Sequence, residues 1–297
     1  MRVSKSSPSG IGRADHNKHP MSNLISRLGE LAKQSSIGRL FAKKMHVYCI
    51  GAPKTGTMSV AEIFRKPFRA AHEPQPKESI EFVIAFRTGE IDRPEALDLL
   101  KLRDKLLALD CEAAHYLVFF APLLVEAFPD AQFLFPIRHP RSWLRSVIDQ
   151  TINSERDYLP EHHVQLRDLN YGSVPHKRPP EEKALGQYPD LHGLSGYLTY
   201  WADHHGSVLD AIPSGRLFLF ETSELSSSLD EMATFLGIDP SYLIREKSHA
   251  HAAPQRHGVL DSVPSEYVDG LIAEICGSTI SRLQSIRPEL LWAELGG

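Results

Sequence analysis

The chain of 297 residues predicts an α/β fold, a central and mostly parallel sheet flanked by helices. Short apolar runs such as "MHVYCI" (45–50) and "AQFLFPI" (131–137) alternate with longer stretches of helical period, and strands separated by helices pair in parallel beneath helices on both faces. The first strand also runs directly into a glycine-rich turn and a helix, "YCIGAPKTGTMSVAEIF" (48–64), which is the layout of a phosphate cradle.

The elements follow in order. "TMSVAEIFR" (57–65) reads as a helix stopped by Pro67, and "FRAAH" (68–72) as a second short strand. Helices are expected at 78–86 and at 94–109, the latter opened by Pro94. A short apolar stretch ends near Cys111, "YLVFFAPLLVEAF" (116–128) reads as one helix, and the strand at 131–137 leads to a helix beginning at Pro140. Residues 153–190, rich in His, Pro and charge, show no clear period and read as an irregular insertion. Regular structure returns as a helix at 194–212, a strand "RLFLF" (216–220) and a helix at 228–238. Residues 45–297 thus form one domain behind a basic arm, 1–44, in which 21–44 has helical spacing.

The formal charge is −4, divided between an arm of +7 and a remainder of −11, which argues against a nucleic-acid binder. The arm could contact a membrane surface peripherally. Three cysteines, Cys49, Cys111 and Cys276, give neither a disulfide framework nor zinc spacing. The pairs His162-His163 and His204-His205 are adjacent rather than spaced as metal ligands, so no metal is expected. No 18-residue apolar run occurs and the N-terminus lacks the apolar middle of a signal peptide, so a cytoplasmic protein is expected.

In an open parallel sheet, ligands bind at the carboxyl ends of the strands, where the turn after the first strand lies. Gly51 and Gly56 allow a tight turn, the amides opening the next helix point at an anion, and Lys54 reaches the same anion. Loops that bind magnesium nucleotides place lysine directly after the second glycine. Here Thr57, Met58 and Ser59 stand there instead. A second anion site is expected in "FLFPIRHPRSWLRSV", with Arg138 just past a strand and Pro140 opening a helix that carries Ser142 and Ser146. Trp143, beside them, reads as core packing.

Two anion sites on one sheet edge suit a ligand with two distant phosphates. "GAPKTGT" and, later, "IRHPRSWLRS" together resemble the sulfotransferases that use 3′-phosphoadenosine 5′-phosphosulfate (PAPS). "LVEAFPDAQFLFPIRHP" and "LFLFETSELSSSLDEMATFLGI" extend the resemblance, which covers roughly 45–150 and 191–260. It implies that Lys54, Thr55, Gly56, Thr57, Met58 and Ser59 hold the 5′-phosphosulfate. It implies equally that Arg138 and Ser146, eight residues apart, hold the 3′-phosphate, and that Arg256 in "SHAHAAPQRHGVL" adds to it. PAPS would be the co-substrate and 3′-phosphoadenosine 5′-phosphate (PAP) the product, with Lys54 neutralising charge on the leaving phosphate.

An acceptor hydroxyl, or less readily an amine, needs a base in line with the donor sulfur. The resemblance points to His72 or Glu73 after the second strand, with His72 favoured because imidazole titrates near neutrality. Glu112 and His115 in "LDCEAAHYL" are further candidates, although the family's Lys-Thr-His run is absent there. The acceptor itself would be a small molecule, lipid or glycan, shaped by the 153–190 insertion through Tyr158, His162, His163, Tyr171 and Tyr188. The alternatives are a small-molecule kinase with a phosphate-binding loop and a non-catalytic nucleotide-binding module.

Overall fold

The computed structural model describes residues 42–154, 159–248, 255–290 and 292. The helix expected at 21–44 lies outside the described residues except for 42–44, which are not helical.

Five strands form one sheet: β1 (Val47–Cys49), β2 (Ala70–His72), β3 (Cys111–Ala113), β4 (Gln132–Ile137) and β5 (Leu217–Glu221). Their order is β2-β3-β1-β4-β5 and every pairing is parallel, as the alternation of strands and helices predicts. Successive side chains of a strand point to opposite faces, so each face builds its own core. Tyr48, Ile50, Phe133 and Phe135 pack on one side, and Val47, Cys49, Leu134, Phe218 and Phe220 on the other. All three cysteines are buried and free.

The second face is covered by α1 (Thr57–Phe64), through Val60, Ile63 and Phe64. The first is covered by α2 (Pro76–Arg87), α3 (Arg93–Leu107), α4 (Ala121–Ala127), α5 (Pro140–Asn153), α6 (Glu161–Tyr171) and α7 (Leu194–Ala211). Next, α8 (Leu229–Leu236) joins α1, with Gly237 in the left-handed conformation ending it. Beyond 260, where no element was expected, α9 (Ser265–Leu271) and α10 (Gly277–Ile286) flank a π-helical turn, Ile272–Cys276. Thr279 and Cys276 bond to carbonyls of α7. Among the described residues no helix is long and apolar enough to cross a membrane.

Two expectations need correction. The single helix expected at 116–128 is a 3₁₀ segment, His115–Phe120, followed by α4. Pro122 is the reason, because it cannot donate to a preceding turn and instead opens a new helix. The insertion at 153–190 is not irregular throughout: it contains α6 and a 3₁₀ segment, Pro180–Gln187. Only Leu166 and Tyr171 of α6 are buried, so the helix carries little apolar period.

The chain leaving β1 travels towards β2 while the chain leaving β4 travels towards β5. Because β1 and β4 are neighbours, a crevice opens between their carboxyl ends. Two glycines permit close backbone approach around it. A Cβ on Gly51 would lie 2.4 Å from Thr55 Oγ1 and 2.5 Å from Pro136 Cγ. At Gly196 in α7 a Cβ would lie 2.1 Å from the carbonyl oxygen of Tyr171, where α6 ends. Gly51→Ala is therefore expected to cost about 1–3 kcal/mol through overpacking, measured by urea denaturation. Gly215→Ala, which has nothing within 4 Å of the added methyl, is expected to lack that loss and serves as the control.

Candidate active site

The turn between β1 and α1 is held by its carbonyls. His204 Nε2 donates to Ile50 O (2.8 Å), Thr55 Oγ1 to Ala52 O (2.7 Å) and Trp143 Nε1 to Pro53 O (2.7 Å). Arg138 donates to Lys54 O (3.3 Å), and Thr222 Oγ1 to Thr55 O (2.8 Å) and Ile137 O (2.9 Å). With the carbonyls drawn to these donors, the amides of Gly56, Thr57 and Met58 have no acceptor among the described residues and open the start of α1 to solvent and ligand. Lys54 (φ 66°) and Gly56 (φ 94°) both adopt left-handed backbone. For a lysine that conformation costs on the order of 1 kcal/mol, and such strain gathers at functional sites.

A cavity of about 830 Å³ lies over this turn. At one end Lys54, Arg138 and Arg256 converge, with Ser142 and Ser146 on the same wall. Lys54 Nζ donates to Gln150 Oε1 (3.1 Å), and Arg138 Nε to Ser142 Oγ (3.2 Å). Among the described residues none of the three cations is in an ion pair. Burial, and then the positive charge of Arg138, push the Lys54 ammonium below its ordinary pKa. Burial, Arg256 and Arg145 do the same to Arg138. Arg256 is brought there by α5: Asp149 Oδ1 accepts from the His257 amide (2.9 Å) and Asn153 Nδ2 donates to Gln255 O (3.2 Å).

Glu73, His72 and His115 line the same cavity. His115 Nδ1 donates to Glu73 Oε1 at 2.8 Å, and His72 Nε2 lies 3.7 Å from the same oxygen. His72 Nε2 also shares a 3.1 Å hydrogen bond with Thr57 Oγ1, so it joins the carboxylate to the turn. Burial pushes the Glu73 carboxyl up, but His115, His72 and His163 outweigh it and hold it down at about 2. Glu73 itself has left-handed backbone, φ 45°, as has Gln75, φ 51°. Between them the Pro74 carbonyl accepts from Ser79 Oγ (2.9 Å) and Tyr116 OH (3.3 Å).

Of the expected site residues, Lys54, Gly56, Thr57, Met58, Ser59, His72, Glu73, His115, Arg138, Ser146 and Arg256 all line the one cavity. Thr55 does not: it is buried beneath the turn and braces it. Glu112 is corrected outright. Its side chain is buried, does not line the cavity, and is paired with Arg103, which donates to both oxygens at 2.7 Å. Trp143 is buried as expected, yet it also holds Pro53. From the insertion His163 and Tyr171 reach the cavity, His162 and Tyr188 do not line it, and Tyr158 lies outside the described residues. Sequence reasoning missed Gln150, Asp149, Thr222, Arg167 and Asn170, which act from helices or a later strand end with no local signature. Among the described residues no group of three or more His, Cys, Asp or Glu is placed to hold a metal ion.

Residues 46–242 match a family model described as a sulfotransferase domain. No curated protein matches the chain. Among solved structures, a sulfotransferase from Alicyclobacillus acidocaldarius is similar at 17% identity and TM-score 0.49, covering 84% of this chain and 98% of its own. A sulfotransferase from Mycobacterium avium is similar at 11% identity and TM-score 0.46, covering 86% of this chain and 83% of its own. The domain match takes in the turn, the Glu73 and His115 pair and the Arg138 wall alike, and by it the chain belongs to the sulfotransferase domain family.

Proposed function

We propose that this sulfotransferase takes its sulfuryl group from PAPS and delivers it to a hydroxyl of a small-molecule acceptor, with His115 as general base. The observation that carries the donor assignment is the convergence of Lys54, Arg138 and Arg256 without ion-pair partners among the described residues. Partly buried cations that repel one another are unfavourable until an anion joins them. A donor with phosphates at both ends of a nucleoside supplies two. Its 5′-phosphosulfate would lie against the amides of Gly56 and Thr57 beside Lys54, and its 3′-phosphate against Arg138, Ser146 and Arg256.

PAPS supplies a sulfuryl group on a phosphate leaving group. Lys54 and the turn amides stabilise the negative charge that collects on that phosphate. Glu73, ionised because its histidine neighbours hold it near 2, keeps His115 with its proton on Nδ1. Nε2 is then the basic nitrogen and takes the hydroxyl proton, while Glu73 offsets the imidazolium that forms. His72 is favoured less than on sequence grounds, because its Nε2 is engaged by Thr57 on the donor side.

Calorimetry without magnesium is expected to show PAP binding in preference to ATP, with Lys54→Ala and Arg138→Ala each weakening it about 10- to 100-fold, the worth of one charge-assisted hydrogen bond. Preference for ATP, or indifference to Arg138, would remove the donor assignment. His115→Ala is expected to lower kcat by about 10²- to 10⁴-fold with PAP affinity kept. Glu112→Gln, by contrast, should appear in urea denaturation as a loss of about 3–5 kcal/mol, because it breaks a buried pair. Glu73 also predicts a pH effect on stability. Its folded pKa, about 2, lies below the ordinary 4.5, so its contribution is complete above pH 4.5 and lost as pH falls to 2. Urea denaturation of Glu73→Gln should therefore show a shallower loss than the wild type across that window.

A further inference from the structure

We propose that Arg167, with Asn170, forms an anion subsite on the acceptor side of the cavity, and that the acceptor is a hydroxyl compound bearing a carboxylate or phosphate. This rests on the donor and base assignment above. The helix α6 lays one face along the cavity: His163, Leu166, Arg167, Asn170 and Tyr171 are spaced as successive turns of one helical stripe and all line it. Leu166 and Tyr171 are buried and seat the helix, which leaves three polar groups to meet a ligand.

Two of those groups offer donors. Asn170 Oδ1 accepts from Arg87 (2.6 Å), and Arg87 is itself held by the Leu169 carbonyl (2.8 Å) and over the Phe119 ring (4.2 Å). That bond commits the Asn170 oxygen and leaves its amide hydrogens for the cavity. Arg167 is half-buried, makes one long bond to Ser154 O (3.5 Å), and is in no ion pair among the described residues. A guanidinium has five N–H donors, so most of its capacity is unused. The carboxylates that line the cavity are already engaged, Glu73 by His115 and Asp149 by the His257 amide.

The subsite is separate from the 3′-phosphate end of the donor site, and Gln150, bonded to Lys54 Nζ (3.1 Å) and Ser154 Oγ (2.7 Å), stands between it and Lys54. Arg138 is bonded to Ser142 and Arg167 to Ser154, at opposite ends of α5. Twelve residues of helix span ~18 Å, too far for both guanidiniums to grip one phosphate. It is also close to the base. His163 acts electrostatically on Glu73, and Arg167 lies one turn further along α6, ~6 Å by helical rise. An acceptor placed with its hydroxyl at His115 therefore extends its remainder towards Arg167, where an acidic group would complete the guanidinium's donors.

The test is a titration with inorganic phosphate, followed by nuclear magnetic resonance at the Asn170 side-chain amide, in protein saturated with PAP. The expected result is a saturable shift in the wild type and a loss of affinity of at least ~10-fold in Arg167→Gln, the cost of one charge-assisted contact. Unchanged PAP affinity in that variant would show that the donor site and the fold are intact. No saturable shift, or one that survives Arg167→Gln undiminished, overturns the subsite. Failure of the wild type to bind PAP would instead overturn the donor assignment. The same phosphate titration in the Lys54→Ala, Arg138→Ala, Arg256→Ala triple variant, where the three donor-site cations are gone, then still reads Arg167 by itself.

Discussion

The capture of the turn's carbonyl oxygens is the interaction on which the site depends. A short loop after a strand has amides and carbonyls in equal number, and left to water it would present both to a ligand. Here His204, Thr55, Trp143, Arg138 and Thr222 take the carbonyls of five of the six residues from Ile50 to Thr55. What remains for a ligand is positive. Thr55 belongs to the turn, but the other four donors come from β4's end, β5's end, α5 and α7, so the electrostatic sign of the turn is decided mainly by the assembled fold. His204 shows how strict the demand is: burial holds the ring neutral, which suits an Nε2–H given to Ile50 and an Nδ1 left to meet the Tyr200 hydroxyl.

A second network plays the corresponding part under the Glu73 segment. The Arg103 and Glu112 pair is buried, and Arg103 NH2 also donates to Ser79 Oγ (3.0 Å). Ser79 in turn donates to the Pro74 carbonyl. The peptide between two left-handed residues, Glu73 and Gln75, is thus tied to a buried ion pair. A chain of this kind resists displacement because loosening any link leaves a charge without its partner. Glu112 thus acts on the Glu73 segment through Arg103 and Ser79, by position.

How far the sequence discloses all this follows from where each signal lies. The parallel sheet, the turn and the Arg138 to Ser146 spacing are local patterns, and each is visible as apolar alternation, glycine placement or one helical face. Residues that act across the fold leave no such mark: Thr222, Asp149 and His204 lie 167, 108 and 154 residues from their partners. Glu112 misleads for the complementary reason, since a carboxylate next to a predicted strand end looks reactive until Arg103, nine residues away on another element, is placed against it. The helix α6 leaves little signal because most of its residues are polar and only Leu166 and Tyr171 are buried, and a polar helix has no apolar period to read.

The contact between Gly196 and the Tyr171 carbonyl separates two tasks that most helices perform with the same side chains. The end of α6 is seated on α7 by backbone against backbone, at an approach no residue larger than glycine would allow. Together with buried Leu166 and Tyr171 this contact seats the helix, so the polar members of the stripe, His163, Arg167 and Asn170, are less needed for that task. Exchange at His163, Arg167 and Asn170 can alter the chemistry of the cavity wall while Gly196, Leu166 and Tyr171 keep the wall in position, so the lining can change without rebuilding the scaffold.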